Sequence, residues 1–169
     1  IGDTLASRSK AMGMRVLALK RKPIQTSNVD QWYTPDQTNE FLSQADYLVN
    51  LLPNTPATHH ALNADSFIAM KNSAVLISIG RGKTVDEQAL IKALQTGQIS
   101  GLAADVFEIE PLPAESPLWH MENVVLTPHI CGESIHYLEK SIKILEENFA
   151  RFQANPETLI NRINLNTGY

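Results

Sequence analysis

Residues 74–97 constrain the fold more than any other stretch of this chain. Ala74 to Ile79 is an apolar run rich in β-branched residues and reads as a buried strand. It stops at Gly80-Arg81-Gly82, where the backbone is permissive and can approach a ligand closely. Asp86 follows as a helix N-cap. Ala89, Leu90, Ala93 and Leu94 make one face of a helix, and Gly97 ends it. An arginine thus stands at the carboxyl end of a strand, the edge where open α/β sheets bind ligands. Arg81 reads in two ways: as a planar fork for a carboxylate or phosphate, or as a surface arginine in a tight turn.

The same alternation runs through the rest of the chain. Leu5, Ala6, Ser9 and Met12 share a helical face that Gly13 closes, and Met14 to Leu19 reads as a strand. Ile24 to Tyr33 is polar and irregular, with a short strand near Val29 to Tyr33. Thr34 and Pro35 supply an N-cap and first position for a helix reaching Ala45, with Phe41 and Leu42 inward. Asp46 to Leu52 is a strand ended by Pro53-Asn54-Thr55-Pro56. Short helices are expected over Ala57–Leu62 and Asp65–Met70. Ile99 to Ala104 is a strand ending at Asp105, and Asn123 to Leu126 a last strand ending at Thr127-Pro128-His129. Between them lies a loop carrying Pro111, Pro113 and Pro117. Ile135, Leu138, Ile142, Leu145, Phe149 and Phe152 mark the stripe of a long amphipathic helix. Strands alternating with helices predict a parallel, doubly wound α/β sheet.

Composition narrows the function. The chain has 169 residues, the length of one ordinary domain, and a formal net charge of -4, which gives no support to a nucleic-acid surface. A single cysteine, Cys131, excludes an internal disulfide and suits a reducing, cytoplasmic compartment. No apolar run is long enough to span a bilayer, so no membrane partner is expected. Ile1-Gly2-Asp3 lacks an initiator methionine and reads as a start inside an element, as in a fragment of a longer chain.

Three chemical groups stand at successive strand ends: Arg81, Asp105 with Glu108 and Glu110 after it, and His129. In a parallel sheet these ends share one edge. A histidine is the usual general acid or base near neutral pH, and a carboxylate in reach would fix its tautomer and favour the imidazolium.

Ile79-Gly80-Arg81-Gly82 with Val85-Asp86-Glu87, Asp105 through Pro111, and Thr127-Pro128-His129 together resemble the D-isomer-specific 2-hydroxyacid dehydrogenases. The resemblance covers nearly the whole chain, as their nucleotide-binding domain. Leu51 to Pro56, Pro111 to Trp119 and the Gly168-Tyr169 end look closest to the glyoxylate/hydroxypyruvate reductase branch. The resemblance implies a Rossmann-like fold lacking its first strand and the start of its glycine-rich loop. Residues 1–154 would be the NAD(P)-binding domain, and residues 155–169 a tail returning toward a substrate domain.

It also implies roles. Arg81 would bind the carboxylate of a small 2-keto acid and polarise its keto oxygen. His129 would donate a proton to that oxygen as hydride leaves the nicotinamide, and Glu110 would pair with His129. Asp105 would hydrogen-bond the carboxamide, with Gly80 and Ile79 against the nicotinamide. Pro53 would lie near the adenosine and Thr58 near the ribose or phosphates. Gly2 matches the third glycine of the phosphate loop. A cytoplasmic homodimer is implied as well. The alternative class is a dinucleotide-sensing corepressor module without turnover.

Some expectations rest on the residues themselves. Where an NAD-specific fold places an acidic residue, this chain has Lys20, Arg21 and Lys22, which predicts NADP preferred over NAD. His59 and His60 read as a diverging, solvated pair on a short helix and not as metal ligands. Cys131 reads as a small buried hydrophobe, and Trp119 as an anchor for the proline-rich loop. A first strand would sit between Met14–Leu19 and Asp46–Leu52. Its place is expected to be filled from outside these residues, because unpaired buried backbone is costly.

Overall fold

The computed structural model describes residues 1–23 and 26–164. Ile24 in the irregular stretch and the Gly168-Tyr169 end lie outside the described residues. Helix α1 (Gly2–Ala11) is closed by Gly13, which adopts a left-handed φ of 81°. Strands β1 (Leu17–Leu19) and β2 (Gln31–Tyr33) pair in parallel. At the next turn the Thr34 N–H donates to Gln37 Oε1 at 3.2 Å, and helix α2 (Thr38–Gln44) follows. Leu42 on α2 is buried, as expected.

Strand β3 (Tyr47–Asn50), helix α3 (Ala64–Ala69), strand β4 (Val75–Ser78), helix α4 (Glu87–Gln95), strand β5 (Gly101–Ala104) and strand β6 (Val124–Leu126) come next. The four strands form one parallel sheet in the order β3-β4-β5-β6. Asp86 caps α4, its Oδ1 accepting from the Ala89 N–H at 3.0 Å. Leu42, Phe67, Leu76, Leu90, Ile99, Leu102 and Leu118 lie in the shared core. A fully buried side chain of this kind contributes about 1.5–3 kcal/mol.

Among the described residues β1 pairs only with β2, and β3 only with β4. The parallel strands and alternating helices are those of a Rossmann-like, doubly wound fold, and among the described residues no strand links β1 to β3.

One predicted helix is absent. Residues 57–62 form turns, not a helix. The Thr58 hydroxyl donates to the Pro53 carbonyl at 2.6 Å and accepts from the Thr55 N–H at 2.9 Å, and the His60 and Leu62 N–H groups donate across to the Lys83 and Thr84 carbonyls, so the turn does not continue as a helix. His60 then adopts a left-handed φ of 50°, and Leu62 pairs with Val85 as an isolated parallel bridge.

A second unit begins at Ile130. Its helix α5 (Tyr137–Ala154) is the predicted long amphipathic one, and it buries none of its residues. The Ile160 N–H donates to Asn148 Oδ1 at 2.9 Å and Arg151 Nη1 to the Thr158 carbonyl at 2.9 Å, folding the following turn back along the helix. Cys131 is exposed, which corrects the expectation of a buried hydrophobe. Residues 130–136, between His129 and α5, are all exposed. Among the described residues no helix is long and apolar enough to cross a membrane.

Candidate active site

Asn50, Ser78, Ala104 and Leu126 are the last residues of β3 to β6, and the register pairs them in a single row. The chain therefore leaves the four strands at one level. Arg81, Asp105 and His129 follow that row within three residues each, which puts the three predicted groups on one edge of the sheet.

Glu110 and His129 meet directly. His129 Nδ1 lies 2.7 Å from Glu110 Oε2, while Glu110 Oε1 accepts from the Phe107 N–H at 3.0 Å. Burial pushes the Glu110 carboxyl up, but the hydrogen bonds from His129 and Phe107 and the charges of His129 and Arg81 outweigh it and hold it below the ordinary range. His129 has a left-handed φ of 57°, a conformation that non-glycine residues adopt rarely and that clusters at functional sites. His129, Glu110 and Arg81 line one cavity of about 220 Å³ together with Asn54, Lys83 and Glu108. A cation, a histidine with an oriented ring and room for a small molecule are the parts needed to hold an anionic substrate and pass it a proton.

The turn that presents Arg81 is braced from below. Thr84 Oγ1 donates to the Arg81 carbonyl at 2.6 Å, and Asn50 Nδ2 donates to Thr84 Oγ1 at 2.8 Å. Arg81 is exposed, with its Nη1 on the Gly80 carbonyl at 2.8 Å.

The flanking glycines also serve the fold itself. A Cβ on Gly80 would come within 2.7 Å of the Leu52 carbonyl oxygen, and one on Gly82 within 1.8 Å of the Phe107 carbonyl oxygen. Both glycines let two stretches of this chain's own backbone close on each other.

The remaining candidates are placed as follows. Asp105 is buried and accepts from Thr127 Oγ1 at 2.6 Å, and its N–H donates to the Ser78 carbonyl at 3.0 Å. Half-buried Ile79 donates its N–H to the Asn50 carbonyl at 3.2 Å. Pro53 is exposed, and the Thr58 hydroxyl is turned into its own turn. Gly2 sits at the start of α1, where a Cβ would make ordinary contact with Leu51 Cδ1 at 3.7 Å. Lys20 and Arg21 are exposed directly after β1. Trp119 Nε1 donates to the Pro113 carbonyl at 2.9 Å, tying the proline-rich loop to itself.

Residues 1–131 match the D-isomer specific 2-hydroxyacid dehydrogenases, over their NAD binding domain. The chain belongs to this family. A glyoxylate reductase from Thermococcus onnurineus is 38% identical over 170 residues, 98% of this chain and 50% of the relative. The NADPH-dependent glyoxylate/hydroxypyruvate reductase of Sinorhizobium meliloti, solved with NADP and sulfate, superposes with a TM-score of 0.92 at 32% identity, covering 99% of this chain and 54% of that one. A D-isomer specific 2-hydroxyacid dehydrogenase from Xanthobacter autotrophicus, solved with NADPH and MES, gives 0.90 at 34% identity over 98% of this chain and 68% of that one. The chain spans about half the length of the curated relatives it matches.

The sequence alone did not point to Asn50, Thr84, Asn54 and Lys83 at this candidate site. Asn50 had a signal, as a polar residue inside the apolar run Leu48 to Leu52. His59 and His60 do not diverge: their rings lie 4.0 Å apart, centroid to centroid. The left-handed His60 backbone turns one ring back over the other, which a helix could not do.

Proposed function

We propose that this chain is the cofactor-binding portion of an NAD(P)-dependent reductase of small 2-keto acids, of the glyoxylate or hydroxypyruvate kind. The observation that carries the reading is the Glu110–His129 pair sharing a cavity with Arg81 at the carboxyl edge of the sheet. The names of the relatives support it, and no observation favours a dinucleotide sensor without turnover.

In this reading Arg81 takes the substrate carboxylate in its planar fork and polarises the keto oxygen. Glu110 accepts from His129 Nδ1 and so fixes the ring, leaving Nε2 to deliver a proton to the oxygen as it becomes an alkoxide. The dinucleotide, when bound, supplies the hydride. Asp105, Ile79 and Gly80 orient its nicotinamide end, and Pro53 and Thr58 lie along its adenosine and ribose. Gly2 opens a helix with no side-chain cap, which suits a phosphate at its N–H groups. Exposed Lys20 and Arg21 after β1 suit a 2′-phosphate, so NADP is preferred over NAD. Residues 1–154 serve the cofactor, and residues 155–169 return toward a substrate domain. The working protein is a cytoplasmic homodimer.

The test is oxidation of NADPH and NADH by the full-length protein with glyoxylate and with hydroxypyruvate. Turnover with either acid, faster with NADPH, is expected. Tight NADPH binding with no turnover on any small 2-keto acid would overturn the enzymatic reading.

A further inference from the structure

Two imidazoles and a carboxylate converge at the rim of the cavity. His59, His60 and Glu108 each present a ligand atom, and the three atoms lie within 4.8 Å of one another. His60 Nε2 and Glu108 Oε1 are 2.9 Å apart, and the two histidine rings are inclined by 30°. Glu108 and His60 are half-buried, while His59 is exposed.

The cluster is held from several sides. The His60 N–H donates to the Lys83 carbonyl at 3.0 Å, the Leu62 N–H to the Thr84 carbonyl at 3.0 Å, and the His59 N–H to the Thr55 carbonyl at 3.0 Å. These bonds maintain the left-handed backbone at His60, a local strain that brings neighbouring rings together. Glu108 is fixed separately, its N–H donating to Glu87 Oε2 at 3.2 Å. The donors therefore come from two anchored segments, the turn after β3 and the loop after β5. A lone His60–Glu108 ion pair would need neither His59 nor its place against the His60 ring.

We propose that His59, His60 and Glu108 form a binding site for a divalent transition metal ion of the zinc type. Two imidazole nitrogens and one carboxylate oxygen suit Zn²⁺ and its neighbours, whereas Ca²⁺ and Mg²⁺ require oxygen ligands throughout. Bond lengths of about 2.1 Å put tetrahedral ligand atoms about 3.4 Å apart. The 2.9 Å His60–Glu108 separation and the 4.8 Å limit on all three atoms bracket that value. Three protein ligands leave a fourth position for water. The bound ion would clamp the turn after β3 to the loop that carries Glu110, and so stabilise two walls of the cavity together.

The test uses the native full-length protein without a tag, carrying Cys131→Ser so that the exposed thiol cannot contribute, and stripped with a chelator. Zn²⁺ is titrated by calorimetry into this protein and into His59→Ala and Glu108→Gln versions of it. One equivalent should disappear, or weaken on the order of tenfold or more, in each variant. Zinc should also raise the melting temperature of the parent and not of His59→Ala. Co²⁺ gives a second readout: the parent should show visible bands of a tetrahedral nitrogen and oxygen site. Unchanged zinc binding in both variants overturns the proposal, as does a parent that binds no zinc saturably. Should a variant fail to fold, a parent without those Co²⁺ bands is enough to overturn it.

Discussion

Asn50 and Thr84, 34 residues apart in the chain, are both buried and joined by a 2.8 Å hydrogen bond beneath Arg81. Asn50 also donates to Ser78 Oγ at 3.3 Å and accepts from the Leu52 N–H at 3.2 Å. This side chain thus links the ends of two strands and the arginine turn. Asn50→Ala takes the amide away from buried Ser78 and Thr84, and loss of a buried partner costs about 1–3 kcal/mol. Urea unfolding should show that loss, and the full-length protein should bind a 2-keto acid more weakly because Arg81 loses its support. A variant as stable as its parent would show that the link carries nothing.

The proton-donor role proposed for His129 is tested by His129→Ala in the full-length protein. Turnover should fall on the order of a hundredfold or more, with cofactor affinity little changed. Glu110→Gln should lower turnover less, since it keeps an oxygen for the ring. Survival of His129→Ala within a fewfold of the parent would remove the histidine from the chemistry.

Lys20→Asp should shift the choice of cofactor. An aspartate after β1 accepts from a bare ribose and repels a 2′-phosphate. The ratio of kcat/KM for NADPH to that for NADH should fall by about tenfold or more. No change in the ratio would place the discrimination elsewhere.

Two glutamates should respond to acid in opposite ways. Glu110 is held below the ordinary carboxyl range, so it stabilises the fold above about pH 4.3, and that contribution goes as pH falls through its folded value. Glu87 is pushed above its ordinary value by burial and the nearby Glu108 charge, against the pull of the Glu108 N–H. Its folded form prefers the proton, so stability is lost as pH rises from the unfolded value through the folded one. Melting temperatures against pH should show Glu110→Gln below its parent at neutral pH and Glu87→Gln above it. Both gaps should close on acidification. A gap constant across pH would rule out titration as its source.

Gly82→Ala should be severely destabilising, because its methyl group would land 1.8 Å from the Phe107 carbonyl oxygen. Backbone must move, and overpacking of this kind costs about 1–3 kcal/mol or more. Gly97→Ala is a useful contrast: its cost is its left-handed φ of 69°, with no atom nearby to meet. Equal melting temperatures for Gly82→Ala and its parent would mean the two backbones are not in contact.

What the sequence revealed was mostly local. The strand before Gly80, the cap at Asp86 and the helix it starts are set by residues within a few positions of each other. The strand ends brought His129 to one edge with Asp105, Glu108 and Glu110, and only the family resemblance singled out Glu110, 19 residues away, as its partner. The bond between Asn50 and Thr84 was not legible, since nothing local says which buried polar groups will find each other. The turn at residues 57–62 was misread because His60 and Leu62 bond to Lys83 and Thr84, some twenty residues on, and periodicity does not register that. The exposure of Cys131 depends on what packs over it, which no window of sequence contains.

The level row of Asn50, Ser78, Ala104 and Leu126 limits how such a chain can change length. One residue inserted within β4 would carry Arg81 forward by about 3.3 Å and turn the strand's side chains over. Arg81 would then stand out of step with Glu110 and His129, with every contacting side chain intact. Insertions in the exposed turns at the other edge, at 72–73, 96–97 and 122–123, leave the row untouched. Length variation that preserves the chemistry therefore belongs on the amino side of the strands, and a deletion of a single strand residue should be as damaging as loss of the histidine.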